Sequence, residues 1–325
     1  MNLSSIYHPL QDDLQIIEET LIEAIDAKHP VLEKSSIQLI KAGGKRIRPV
    51  FVLLSSQFGD DKENKEQIYK TAVALELVHM ATLVHDDVVD DATIRRGIPT
   101  IKHMYDNRIA MYSGDYILAR ALEVIASISN LEIHKELSNT LVKIVEGEVD
   151  QIEDQYNLNQ TLRNYLQRIK RKTALLIAIS CKLGALAAGA KREHVHQLYK
   201  YGYYVGMSFQ IIDDILDITS SPEQLGKPTG SDLLEGNITL PVLFAMKDAT
   251  FLNELKRVFQ NRHDLKPSDI GHILDMIIDS DAVKKSYALS DAYLKKANRA
   301  LAKLPQNDAK QTLQMIANII GKRKF

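Results

Sequence analysis

TIKHMYDNRIAMYSGDYILARALEVIASISN at residues 100–130 and KYGYYVGMSFQIIDDILDITSS at 200–221 are the two ends of one uninterrupted stretch. From Thr100 to Ser221, 122 residues, it contains no proline, although the chain has nine, at 9, 30, 49, 99, 222, 228, 241, 267 and 305. Strands over that length would need a turn every few residues, whereas helices need only the absence of a breaker. Inside the stretch apolar residues recur at helical spacing, as in Ile117, Ala121, Val124 and Ile128, and in Ile211, Ile215 and Ile218. Ile68, Ala72, Leu75 and Val78 repeat the pattern before it, and Ile270, Ile273 and Ile277 after it. Period-two alternation is sparse. These features predict an all-α chain. Gly59-Asp60-Asp61 and Gly97-Ile98-Pro99 are expected to close helices, and Ser113-Gly114-Asp115 to cap the start of another.

The composition is that of a globular protein: 325 residues, 45% hydrophobic and 26% charged. It excludes disorder and collagen-like repeats. With 41 Lys plus Arg against 42 Asp plus Glu, net charge is −1, and the chain has no overall electrostatic footprint for nucleic acid. A single cysteine, Cys181, makes neither an internal disulfide nor a Cys-based zinc site, which fits a reducing, cytoplasmic setting. The N-terminus lacks a basic start followed by an apolar block, and the longest apolar stretch, 174–190, is broken by Ser180 and Lys182. Peripheral membrane contact is the most this allows. No repeat and no Gly/Ser/Pro linker divides the chain, so one domain over 1–325 is expected. Residues 220–241 stand out, with three prolines and three glycines in a connection long enough to suggest function.

Two acidic clusters carry the chemistry. HDDVVDD supplies Asp86, Asp87, Asp90 and Asp91, and IIDDILD supplies Asp213, Asp214 and Asp217. Both have the spacing D-D-x-x-D inside apolar helical sequence, which sets Asp86 one turn from Asp90 and Asp213 one turn from Asp217. A single copy reads equally well as a solvated helix face. Two copies flanked by Leu83-Val84, Val88-Val89, Ile211-Ile212 and Ile215-Leu216 do not. Carboxylates paired in apolar surroundings repel one another unless a cation lies between them. Hard oxygen ligands call for Mg²⁺, which is commonly held by one or two carboxylates together with waters and substrate phosphates.

Cations stand nearby in sequence or beside glycine turns. Gly43-Gly44-Lys45-Arg46-Ile47-Arg48-Pro49 sets three cations behind a flexible pair, without the spacing or preceding strand of a nucleotide P-loop. Arg95-Arg96-Gly97 follows Asp91 closely, Arg171-Lys172-Thr173 opens another apolar run, and Lys227 lies in the long connection. Any one of these reads alone as surface charge. With two acidic clusters they describe a polyphosphate cavity.

In these residues the chain resembles the trans-isoprenyl (polyprenyl) diphosphate synthases. The motifs occur in order: GGKRIRP at 43–49, ELVHMATLVHDDVVDD at 76–91, RRG at 95–97, KTA at 172–174, FQIIDDILD at 209–217, LGKPTGSDL at 225–233 and GNITLP at 236–241. The likeness extends over essentially the whole chain. It implies one helical bundle of the isoprenoid synthase type with a deep central cavity and several Mg²⁺ ions bridging the diphosphate. Asp86, Asp90, Asp213 and Asp217 would be the metal ligands, supported by Asp87 and Asp214. Lys45, Arg48, His79 and Arg96 would hold isopentenyl diphosphate, and Arg95, Lys172, Thr173, Gln210 and Lys227 the allylic diphosphate. Many relatives have Lys where Asn237 stands, so that position receives no cationic role.

The resemblance further implies electrophilic prenyl transfer with no side-chain nucleophile, from an allylic primer such as farnesyl diphosphate. A long-chain product of six to eight isoprene units, seven for a menaquinone side chain, fits the small residues Ala81 and Thr82, where short-chain members carry aromatics that block the cavity. As partners it implies a second copy, a small non-catalytic subunit, or both. Three rival readings are weaker. Glu76-x-x-His79 matches a ferritin-like di-metal bundle, but adjacent aspartates are not the ligands of that fold. A regulatory subunit would lack intact acidic motifs. A terpene cyclase does not need a second diphosphate site.

Overall fold

The computed structural model describes residues 7–60, 64–221, 228–260 and 265–322. Asp61, Pro222, Gly226 and Lys227 of the sequence reading lie outside them. The chain is all-α, as the proline-free stretch requires. That stretch forms helices Ile101–Met104, Asn107–Ala126, Leu131–Asp154, Leu162–Ile169, Leu175–Ala187 and Arg192–Thr219. Among the described residues the only strands are the two-residue pair Ile94–Arg95 and Ile98–Pro99.

Two local expectations are corrected. Gly97-Ile98-Pro99 does not close a helix, because the preceding helix, Lys65–Val89, has already ended with Asp90 as its C-cap. Arg96 (φ 53°) and Gly97 (φ 78°) are the two central residues of a hairpin in which Arg95 pairs with Ile98, and positive φ at both matches the right-handed twist of the strands. Ser113-Gly114-Asp115 lies inside the Asn107–Ala126 helix, whose N-cap is Asp106, accepting from Ile109 N. Gly114 is there for packing: a Cβ would collide with the His85 ring. Gly59 does follow the end of the Ile47–Ser56 helix.

The chain forms two compact units, each assembled from separate segments. The first comprises the described parts of residues 1–139, 179–199 and 304–313. Its central helix, Lys65–Val89, packs against Asn107–Ala126 and Ile47–Ser56. Every residue from Thr71 to Val78 on it is buried, as expected of a helix apolar on all sides. Gly184 permits the backbone of Val52 to approach so closely that a Cβ would stand 2.7 Å from its Cα.

The second unit comprises the described parts of 140–178, 200–303 and 314–325. Its core joins Tyr165 and Ile169 to Met207, Ile211, Ile215 and Ile218 of the second acidic helix and to Ile270, Ile273 and Ile277. Between Leu162–Ile169 and Leu175–Ala187 the helix widens into a π turn, Lys170–Ala174, a feature frequent at functional sites. A Cβ at Gly206 would stand 2.6 Å from Ala174 Cα, so glycine is needed for this turn to meet the second acidic helix. Of the long connection, the described part holds the short helix Ser231–Leu234, entered through Gly230 (φ 73°), and Pro241 in the first turn of Leu240–Ala245. Among the described residues no helix is long and apolar enough to cross a membrane.

Candidate active site

In the first unit the central helix opens along one strip after its fully buried run. His79, Thr82, Leu83 and Asp86 are half-buried and Asp90 is exposed, whereas Met80, Ala81, Val84 and Asp87 are buried. At 100° per residue these five positions share one face, while His85, Val88 and Val89 are also open toward the helix end. Asp86 and Asp90 therefore sit one turn apart on the accessible side. Asp87 points inward and is held by Arg95, Nε at 2.7 Å and Nη2 at 2.6 Å from its Oδ1. Burial still pushes the Asp87 carboxyl above its usual range, outweighing Arg95.

The glycine pair and the hairpin converge on the same unit. Arg96 donates to the carbonyl of Gly43, and Gly44 has φ 147°, a conformation that favours glycine. Arg46, φ 43°, turns inward. It pairs with Glu18, with Glu76 at 2.9 Å, and with the carbonyl of Ile40 at 2.8 Å. Glu76 is thus an internal counter-ion, which removes the E-x-x-H metal reading. Arg48 is pushed down to about 10 by burial, with Arg96 adding repulsion. Its Nε and the Oε2 of Glu76 are buried without a hydrogen-bond partner. His79 is held well below its ordinary value by burial, then by Arg48, Arg96, Arg46 and Arg95, and is neutral. An under-compensated positive pocket of this kind suits an anion.

In the second unit Asp213 is exposed, whereas Asp214 and Asp217 are buried. The i, i+4 spacing of Asp213 and Asp217 does not make them alike, because the 40° offset turns Asp217 into the core. Asp217 accepts from Ser231 Oγ at 2.8 Å and Asp232 N at 3.2 Å, and its carbonyl from Gly230 N at 2.7 Å. Asp214 accepts from Tyr165 Oη at 2.7 Å and Gln210 Nε2 at 2.8 Å. Burial, with Asp232 and Asp213 nearby, pushes its carboxyl up to about 8. Thr173 donates to Gln210 Oε1 at 2.6 Å, and Lys172 to Gln151 at 2.9 Å.

The structure thus groups Arg48, His79 and Arg96, aligns Asp86 with Asp90, and links Thr173, Gln210 and Asp214. Arg46, counted from the sequence among the cations of an anion site, is instead held inward by Glu18 and Glu76, and no role was assigned to Glu18 or Tyr165. A hint for Arg46 was present, since alternate residues at a helix start cannot both face one ligand. Nothing local marked Tyr165.

The model of the polyprenyl synthetase family matches residues 29–277. The chain belongs to that family. This synthetase is therefore a prenyltransferase. It is 52% identical over 325 residues to heptaprenyl diphosphate synthase component 2 of Bacillus subtilis (strain 168), covering 100% of this chain and 92% of the relative. To the component 2 of Geobacillus stearothermophilus it is 51% identical, with 100% of both chains covered. Among solved structures, heptaprenyl diphosphate synthase from Staphylococcus aureus superposes with a TM-score of 0.91 at 43% identity, covering 99% of each chain. Polyprenyl synthase from Caulobacter crescentus CB15, crystallised with calcium and isoprenyl diphosphate, matches with a TM-score of 0.92 at 30% identity, covering 99% of this chain and 98% of that one.

Proposed function

We propose that this synthetase condenses isopentenyl diphosphate head-to-tail onto an allylic diphosphate, farnesyl diphosphate for preference, to make all-trans heptaprenyl diphosphate for a menaquinone side chain. The observation that carries the reading is the pocket around Arg48, His79 and Arg96, built beside an accessible carboxylate pair on one helix. Lys45, Arg48, His79 and Arg96 hold the diphosphate of isopentenyl diphosphate. Arg95, Lys172, Thr173 and Gln210 hold the allylic diphosphate, with Lys227 assigned to the same task from the resemblance.

The residues also fit Mg²⁺. Asp86, Asp90 and Asp213 offer hard oxygens on accessible positions. Asp217, a ligand by the resemblance, is buried and engaged with Ser231 and Asp232 and so acts through Asp213, and Asp87 and Asp214 support from within. When bound, Mg²⁺ supplies neutralising charge for the leaving pyrophosphate. The cationic side chains take up the charge that develops as the allylic C–O bond breaks. The isopentenyl double bond attacks the allylic carbocation, and a proton leaves to the pyrophosphate. Apolar walls exclude the water that would quench the cation.

A partner is supported by the Leu131–Asp154 helix, where Val142, Val145, Val149 and Ile152 form one exposed apolar stripe, each more than half exposed. A second copy, a small non-catalytic subunit, or both would cover it. We assign the whole chain to one functional domain in the cytoplasm, consistent with its buried, free Cys181.

The deciding experiment incubates the purified chain with farnesyl diphosphate, isopentenyl diphosphate and Mg²⁺, with and without a candidate small subunit, and measures product length by mass spectrometry. A seven-unit product, four units added to farnesyl diphosphate, is expected. Absence of condensation under both conditions would sink the function. Chain length has its own check at Ala81, which is 2% exposed. Ala81→Phe is expected to shorten the main product. If the product tunnel passes Ala81, the added ring fills it at little cost, whereas overpacking a closed core costs about 1–3 kcal/mol. An unchanged product length with a lowered unfolding midpoint would refute the tunnel at this position.

A further inference from the structure

We propose that Tyr165 is a positioning residue for the allylic diphosphate, acting through Asp214 and Gln210 on Thr173. The inference rests on the assignment of that substrate to Lys172, Thr173 and Gln210. Four side chains form the connection: Tyr165 Oη donates to Asp214 Oδ2, Gln210 Nε2 donates to Asp214 Oδ1, and Thr173 Oγ1 donates to Gln210 Oε1, at 2.7, 2.8 and 2.6 Å. Because Asp214 receives the Gln210 amide nitrogen, Gln210 can present only its carbonyl to Thr173. The orientation of the Gln210 amide is thereby set by Asp214, which also accepts from Tyr165.

The connection closes a ring through the backbone. Tyr165 lies on the Leu162–Ile169 helix and Thr173 in the π turn directly after it, so the side chains staple this widened turn to the Arg192–Thr219 helix. Gly206 brings the same two segments into backbone contact. A π turn is less favourable than an α turn, and it persists where the surroundings over-determine it. Tyr165 is fixed in turn from behind. It is fully buried, and the Arg168 guanidinium lies 5.7 Å from its ring centroid while donating to Gln160 at 2.7 Å and to the carbonyl of Ile238. The ring orders Thr173 and Gln210 before substrate arrives, so less entropy is lost on binding.

Tyr165→Phe removes one hydroxyl and keeps the ring packing. Its effect is compared with that of Ser208→Ala, which removes a buried hydroxyl of the same helix that pairs with Ser290 at 2.7 Å, outside the ring of bonds. We expect Tyr165→Phe to raise both the KM and the calorimetric Kd for farnesyl diphosphate about tenfold, the scale of one hydrogen bond to a carboxylate. The KM for isopentenyl diphosphate should stay within about twofold. Ser208→Ala should move neither KM while lowering the unfolding midpoint. Should Tyr165→Phe fold poorly, Asp214→Asn, which keeps shape but offers one acceptor oxygen, should give the same allylic-specific change. Equal changes in both KM values, no change, or an allylic effect from Ser208→Ala would each overturn the role of Tyr165. In those cases prenyl transfer by the wild type still stands, whereas an inactive wild type overturns the assignment on which the role rests.

Discussion

Asp86→Ala is expected to lower kcat about a thousandfold while the unfolding midpoint stays within a few degrees of wild type. The first half follows from what the carboxylate would hold. A divalent cation on the leaving group contributes several kcal/mol of charge stabilisation, and each 1.36 kcal/mol is about a factor of ten in rate. The second half follows from placement, since Asp86 is half-buried on the open strip with Asp90 one turn beyond, and removing one of two like charges relieves repulsion. Asp87→Ala, one position along, should behave differently. It removes a buried carboxylate bonded to Arg95 at 2.6 Å and leaves that guanidinium without its partner, so the midpoint should fall as well. Initial rates at saturating Mg²⁺, together with thermal melts followed by circular dichroism, separate the two variants. Activity of Asp86→Ala within tenfold of wild type would remove Asp86 from the metal site.

The helical class was legible because it depends on a property summed along the chain, the absence of proline over 122 residues combined with apolar periodicity. Single glycines were not legible in the same way. Gly114 was expected at a cap, and it stands mid-helix because the His85 ring needs the space, a contact between helices that local sequence cannot announce. In the site, residue type was readable and direction was not. Asp86, Asp87 and Asp90 are equal as letters, yet the 100° step per residue leaves two on the open strip and turns one onto Arg95. The same rotation separates the exposed Asp213 from Asp214 and Asp217. Arg95 and Arg96 are neighbours assigned to different diphosphates, and the hairpin sends one to Asp87 and the other to Gly43. Tyr165 was hidden for a different reason, since its partner is 49 residues away and meets it only in the folded core.

Arg46 and Arg48, two residues apart in one motif, should respond to mutation in opposite ways. Arg46→Ala is expected to cost about 3–5 kcal/mol of folding stability, the usual scale for removing one partner of a buried ion pair. Arg46 is 7% exposed, and its loss strands Glu76, which is 1% exposed and already has one oxygen without a hydrogen bond. It also frees the Ile40 carbonyl and the Glu18 carboxylate. For a chain of this length the midpoint should fall about 5–10 °C. Arg48 has the reverse balance. Its guanidinium is pushed down by burial and by Arg96, and its Nε has no partner, so the folded state gains little from the charge. Arg48→Met keeps much of the apolar stem and should leave the midpoint unchanged or raise it, while weakening isopentenyl diphosphate binding about a hundredfold through loss of a charge-assisted contact. Differential scanning calorimetry and KM measurements on the two variants test the pair. A stability loss for Arg48→Met equal to that of Arg46→Ala would mean that Arg48 is a second structural cation. If each arginine behaves as expected, the motif divides its charges by direction, one held inward to keep the helix start in place and one left under-compensated for the substrate.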